Sequence, residues 1–151
     1  MTGIDNAKGS RRPGLLRRLA AMVYDALVAF AVLFVADAAL IVPAQGWLHI
    51  ENLAGRWWFL AYEIGVVVLF FTWFWSHGGQ TLGMRAWRLK VVRADGAPLK
   101  FADALRRFAA AVLSWLPAGL GFLWALVDRQ GLTWHDRLSR TRLVLVEKTP
   151  K

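Results

Sequence analysis

Residues 19–42 read LAAMVYDALVAFAVLFVADAALIV, an apolar run interrupted only by Asp25 and Asp37. At 1.5 Å per helical residue, some 24 residues are enough to cross a hydrocarbon core of about 30 Å. The run therefore predicts a membrane-spanning helix, with Pro43 expected to end it because proline lacks the amide N–H. A basic stretch precedes the run, as in a signal peptide. The run is too long for one, holds two acids, and has no small-residue cleavage site after it, so it is expected to stay as a signal anchor.

Outward from this helix the same block pattern repeats. A second apolar block, about 57–76, carries one charge (Glu63), ends in Thr72-Trp73-Phe74-Trp75 and exits at Gly78-Gly79, which predicts a second span. The link between them, 43–56, holds a single Arg; Trp47, Trp57 and Trp58 around it suit an interfacial aromatic belt. A third block, 108–127, is uncharged and long enough to span, but Pro117-Ala118-Gly119-Leu120-Gly121 sits in its middle. Pro removes a helix hydrogen bond and Gly weakens the helix, so this block predicts a kinked third span or a re-entrant pair of short helices. Two β-type runs, 87–93 before the turn Ala94-Asp95-Gly96 and 143–146 near the end, each need a partner and are expected to pair with each other at the membrane surface.

Charge sets the expected orientation. The segment through Arg18 has five Lys/Arg, the first link one, residues 77–107 seven, and the chain from Asp128 six. Positive-inside counting places both ends and the second link in the cytoplasm. Three full spans would send the C-terminal segment outside against its own charge, which favours two spans plus a broken re-entrant hairpin. The expected fold class is thus an α-helical integral membrane protein, multi-pass in a bacterial inner membrane, with a cytoplasmic N-terminus and a small cytoplasmic two-stranded β element. Residues 1–14 are expected to be a disordered basic tail and 15–148 a single membrane domain. The whole chain agrees with this class: 57% of its 151 residues are hydrophobic, nine are Trp, and the mean hydropathy is +0.39. It has no Cys, which excludes disulfides, thiolate metal sites and cysteine nucleophiles. The net charge of +9 flanks apolar blocks and so suits anionic lipid headgroups ahead of nucleic acid.

Three strings now stand in order: RRLAAMVYD at 17–25, GGQTLGMRAWRLKVVRADGAPL at 78–99, and LPAGLGFLWALVDRQGLTWHDRLSRTRLVLV at 116–146. Together they resemble the RDD family over nearly the whole chain. That family is named for an Arg at the start of the first span, an Asp inside it and a second Asp further on, which the resemblance maps to Arg18, Asp25 and Asp136. It implies a small membrane protein, usually of three spans, for which transport of a ligand or ion, including cation/proton exchange, has been suggested.

The residues able to carry chemistry are few. Arg18 and Asp25 lie on one helical face but nearly two turns apart, too far to pair directly. Asp25, about 10 Å in from Leu19, must be protonated, hydrated or paired. It is either a polar lock for helix packing or a proton or cation site. Asp136 is expected to cap a turn and bind Arg18 or Arg85, so that Arg18, Asp25 and Asp136 form one polar cluster at the inner membrane edge. Asp37 and Glu63 reach similar depth, either as a shared cation site or as two acids reaching separately for the outer headgroups. Asp128 and His135, beside Asp136, invite a metal-hydrolase reading, but ligands for a metal centre must converge in threes or fours and no such motif is present. Gly79, Thr81 and Gly83 form either a tight turn or a phosphate nest. Trp87, Trp115, Trp124 and Trp134 suit interface anchors, and the basic helix around Arg106 and Arg107 suits anionic lipid.

No enzyme activity, cofactor, metal or nucleic-acid partner is expected. Two functions compete. One is transport of a cation, proton or small ligand, which so few spans can enclose only as a homo-oligomer or with a membrane protein partner. The other is a non-catalytic scaffold or assembly factor that binds anionic lipid or a partner protein.

Overall fold

Apolar length dictates the two longest elements of the computed structural model, which describes residues 13–46 and 57–146. Helix α1 (Leu15–Gly46) has 32 residues and α2 (Trp57–His77) has 21, and both are long and apolar enough to cross a membrane. Their large side chains turn outward: Leu27, Phe30 and Phe34 of α1 are each about two-thirds exposed. An apolar surface of that extent needs lipid or another protein to cover it. Helix α1 runs past both expected limits, and Pro43 lies inside it instead of ending it. At three residues from the helix end, Pro43 forfeits only the bond to Ala39, so the last turn survives.

After α2 the chain turns through Gly79 (φ 72°) into a five-residue helix, α3 (Leu82–Ala86), and then strand β1 (Leu89–Arg93). Strand β2 (Thr141–Leu145) pairs with it antiparallel, with Leu89 opposite Leu145 and Val91 opposite Leu143. The expected pairing of the two runs is therefore present, shifted at the ends. Trp87 closes α3, Arg88 (φ 55°) turns the chain before β1, and Arg140 (φ 52°) does the same before β2. Each strand starts where its preceding helix has been reversed.

The third apolar block is broken, as its Pro-Ala-Gly centre predicts. Helix α4 (Phe101–Trp115) and helix α5 (Leu120–Val127) meet at 94°. Positive φ at Ala118 (51°) and Gly119 (78°) makes the corner, and Gly121 then packs on Ser114. The block is thus not a straight span; a broken span and a re-entrant pair both fit its angle. Helix α4 also starts at Phe101, ahead of the expected 108, because Asp103 accepts from the Lys100 N–H at 3.1 Å and so caps a polar first turn. Helix α6 (Trp134–Leu138) follows. The core lies between the sheet and the helices: Ala21, Trp75, Met84, Leu89, Val91, Leu99 and Ala104 pack together, flanked by Phe71 and Phe108.

The expected N-terminal tail lies outside the described residues apart from Pro13, which is buried, and Gly14, whose carbonyl accepts from Arg18 N–H. Trp47 and the rest of 47–56 also lie outside them.

The corner between α4 and α5 generates a prediction. A Cβ on Gly121 would stand 2.6 Å from Ser114 Cβ, whereas one on Gly65 in α2 would meet nothing within 4 Å. Gly121→Ala is expected to destabilise the detergent-solubilised protein by about 1–3 kcal/mol, and Gly65→Ala to leave it unchanged or slightly more stable. Equal melting temperatures for the two variants would mean that the corner is not closely packed.

Candidate functional site

Helix α1 is tied to the rest of the protein by two carboxylates, and the first is its own. The side chain of Asp25 is buried against α3. Its Oδ2 accepts from the Thr81 hydroxyl at 2.5 Å and its Oδ1 from the Gly83 N–H at 2.8 Å. Thr81 is the N-cap of α3, and Gly83 carries one of the free N–H groups that open any helix, so an acid there is doubly favourable. Gly83 is required for a steric reason: an added Cβ would fall 2.8 Å from Asp25 Cγ and against the backbone of Ala21. The Gly79-Gln80-Thr81-Leu82-Gly83 string is thus the tight turn of the two sequence readings. The position a phosphate would take at the Gly83 amide is filled by Asp25.

The second carboxylate, Asp136, sits in α6 and is 1% exposed. Thr133 caps α6 by accepting from Asp136 N–H, while Asp136 Oδ2 accepts from Thr133 N–H at 3.2 Å. Arg107 of α4 donates to Asp136 Oδ1 at 2.7 Å and also to the Thr141 hydroxyl of β2. Arg18 of α1 reaches Asp136 Oδ2 at 3.5 Å and donates to Gly131 O at 2.9 Å. Burial alone would push the Asp136 carboxyl up; Arg107, with Arg18 behind it, outweighs burial and holds it below the usual carboxylate range.

The expected cluster of Arg18, Asp25 and Asp136 is therefore two separate anchors. Arg18 meets Asp136, whereas Asp25, two turns deeper, has partners in α3. Arg85 makes no described bond to Asp136; the main partner is Arg107, which sequence reading had placed on anionic lipid with Arg106. Only Arg106 is exposed, beside Asp103 at 3.9 Å. A signal for Arg107 was present: Ala104, Arg107, Ala110 and Ser114 recur at helical spacing, and all four are buried.

His135 packs against Phe122 with the rings tilted and 4.7 Å between their centres, and its Nε2 lies 2.9 Å from the Thr133 hydroxyl. Burial, reinforced by the charge of Arg107, pushes its pKa down to about 3, so the ring is neutral near pH 7. Asp128 holds the turn before α6: its Oδ2 accepts from Leu132 and Gln130 N–H, its Oδ1 from Arg137, and these bonds keep it ionised below the usual range. No described bond joins Asp37 to Glu63. Asp37 Oδ1 is buried without a hydrogen-bond partner, and Tyr62 donates to the neighbouring Ala36 O at 2.8 Å. Among the described residues no group of three His, Asp or Glu side chains is close enough to hold a metal ion. Trp87, Trp115 and Trp124 are 42–60% exposed.

Between α1 and α4 the anchors leave a partly open cavity of about 400 Å³, walled also by α2, α5 and α6. Ala26 and Ala29 of α1 face Phe108, Ala111 and Val112 of α4 across it, and Arg18, Arg107 and His135 stand together at its polar end.

The family model described as RDD family matches residues 12–140. Searches of curated proteins and of solved structures return no match.

Two predictions test the anchors. Removing Arg107 (Arg107→Met) leaves a buried carboxylate and should cost about 3–5 kcal/mol. Adding Asp136→Asn should restore part of that loss, whereas Arg18→Ala and Asp25→Asn should add to within about 0.5 kcal/mol. Double-mutant cycles by detergent unfolding decide it; additivity at Arg107 and Asp136, or strong coupling between Arg18 and Asp25, would contradict this geometry. The second prediction concerns pH. The folded pKa of His135, about 3, lies below its ordinary 6.5, so the folded state binds fewer protons between these values. Its contribution is full above pH 6.5 and is lost as pH falls toward 3, by at most about 1.4 kcal/mol per pH unit. His135→Gln should flatten melting temperature against pH over 6.5–4.5 relative to the wild type.

Proposed function

Because the chain belongs to the RDD family, we propose that it is a multi-pass protein of the bacterial inner membrane that binds a small ligand in the cavity between α1 and α4. The cavity carries this reading. Its volume of about 400 Å³ falls within the range of small-molecule sites, and its apolar wall with a few grouped polar residues is the usual make-up of one. In this reading the N-terminus and the sheet lie on the cytoplasmic side, supported by the positive-inside charge count. Transfer of the ligand across the bilayer would require an oligomer, since α1, α2 and the bent pair enclose no pathway alone.

Among transport readings, the small ligand is better supported than a cation or proton. Both oxygens of Asp25 are engaged by α3, and the polar end of the cavity carries two arginines against one acid. The scaffold reading rests on a different observation: Asp25 and Asp136 hold elements together, so the residues the family is named for are structural in this protein.

Thermal unfolding in amphipol, where no detergent tail competes, separates these readings. A cavity ligand at one hundred times its dissociation constant should stabilise the protein by about 2.7 kcal/mol. Ala111→Phe, which fills the cavity, should abolish that gain, and alkali cations should give none. Stabilisation by cations that survives Ala111→Phe would favour the cation reading; no stabilisation by any apolar-tailed compound would leave the scaffold.

A further inference from the structure

Packing between α1 and α2 fixes two opposite ends of the protein. Ala21 of α1 and Trp75 of α2 belong to one buried cluster with Met84, Leu89 and Leu99, whereas Ala44 of α1 packs with Phe59 of α2, and Tyr62 donates to Ala36 O. The two helices are therefore antiparallel. Ala21 and Ala44 stand about 34 Å apart along α1 at 1.5 Å per residue, more than a hydrocarbon core of about 30 Å. With α1 and α2 spanning, the end that holds the sheet and the end that holds Phe59 lie on opposite sides of the membrane.

The bent pair α4 and α5 starts and finishes at the sheet end. Leu99 and Ala104, where the chain enters α4, belong to the cluster of Ala21. After α5 the chain is back at the same end: Gly131 O accepts from Arg18 at 2.9 Å, Asp136 meets Arg18 and Arg107, and β2 pairs with β1. Between these points α4 climbs from Ala104 to Trp115, about 16 Å, which reaches the middle of the core and no further. Helix α5 then turns off at 94° and packs against α4 and α6. The pair is nevertheless suited to lipid. Leu116, Leu120 and Leu126 are 55–74% exposed, and at the corner the Gly119, Leu120 and Phe122 N–H groups donate to the carbonyls of Trp115, Pro117 and Gly119.

The cavity shares this limit. Its α1 wall runs from Arg18 to Ala29, about 16 Å, and its α2 wall is Phe71 and Trp75. None of the wall comes from the far halves of these helices, where Ala36 meets Tyr62 and Ala44 meets Phe59.

We infer that α4 and α5 form a re-entrant hairpin that enters and leaves the membrane on the side of the sheet, and that the cavity they wall serves this side alone, with no route through the chain to the other. A ligand held there is taken from one side and returned to it, which makes the site one of binding on a single membrane face and not of passage. The inference goes beyond the ligand reading above, because it depends on the two spans and on these contacts and not on what occupies the cavity.

Single cysteines test it, since the chain has none of its own. Each is probed with a charged, impermeant maleimide in right-side-out and in inverted membrane vesicles. Asp95→Cys, in the turn after β1, and Gln130→Cys, after α5, are both at exposed positions and should be labelled in the same vesicle orientation. Trp57→Cys, at the 84% exposed start of α2, should be labelled only in the other. Leu138→Cys, exposed in α6, reports the same segment should Gln130→Cys fail to insert. Ala29→Cys, at the deep end of the cavity, should not be labelled from the side of Trp57. Labelling of Asp95→Cys and Gln130→Cys from opposite sides would make the bent pair a crossing span and overturn the hairpin. Labelling of Ala29→Cys from the side of Trp57 would reveal a through-route and overturn the one-sided site. Labelling of Trp57→Cys and Asp95→Cys from one side would remove the two spans on which the inference stands. Failure of every ligand to stabilise the protein would leave these labelling patterns as they are, so the ligand reading and this one fail separately.

Discussion

Asp136 is a carboxylate with 1% of its surface exposed, and a buried charge of that kind persists only if it is paired and fully hydrogen-bonded. Much of the architecture follows from meeting that condition. Arg107 must come from α4, the Thr133 amide from the turn before α6, and Arg18 from the start of α1; Arg107 then holds Thr141 and with it the first residue of β2. Four elements, drawn from both ends of the described chain and its middle, are thereby fixed around one side chain. Such a pair need not add net stability over an apolar equivalent. Its effect is on uniqueness, because any other arrangement of these elements strands an ion away from water.

Asp25 extends the same logic from the other direction. It satisfies the amide of Gly83 and the hydroxyl of Thr81, and so presses α1 onto the turn that precedes β1. That turn is held to the sheet in its own right, with Val91 N–H donating to Gly79 O at 2.7 Å and Gln80 to Leu89 O at 2.6 Å. Through β1 and β2 the two anchors are mechanically joined. Helix α1 is therefore positioned near its start by Arg18, Ala21 and Asp25, and further along by α2, where Tyr62 donates to Ala36 O and Ala44 packs with Phe59.

The cavity is a by-product of that arrangement with chemical consequences. At the polar end Asp136 joins α1 to α4 through Arg18 and Arg107, and beyond it the facing side chains are small, Ala26 and Ala29 on one side and Ala111 on the other. The 94° corner at Ala118 and Gly119 folds α5 back, so that Phe122 closes another wall. Arg107, Trp75 and His135 line the opening, and each keeps one buried nitrogen without a described hydrogen-bond partner.

The elements with a strong local cause were legible from sequence. Apolar length set α1 and α2, Pro117 with Gly119 set the break in the third block, and the β-rich runs ending in turns set the strands, with errors of only a few residues at their ends. Arg18, Asp25 and Asp136 were legible as important through the family strings. Their partners were not. Whether Asp25 pairs with an arginine seven residues away or with an amide 58 residues away is a matter of which long-range contact forms, and both satisfy a buried acid equally well on paper. Arg107 read as a lipid-facing base because one basic residue beside another shows no burial until α4 packs its Ala104, Ala110 and Ser114 face inward. Sequence by itself determined which segments are long and apolar enough to cross a membrane and where the chain must turn, since hydrophobic length and backbone stereochemistry act locally. Only tertiary structure decided which charges are buried together, because pairing, desolvation and a cavity between helices are properties of groups distant in the chain.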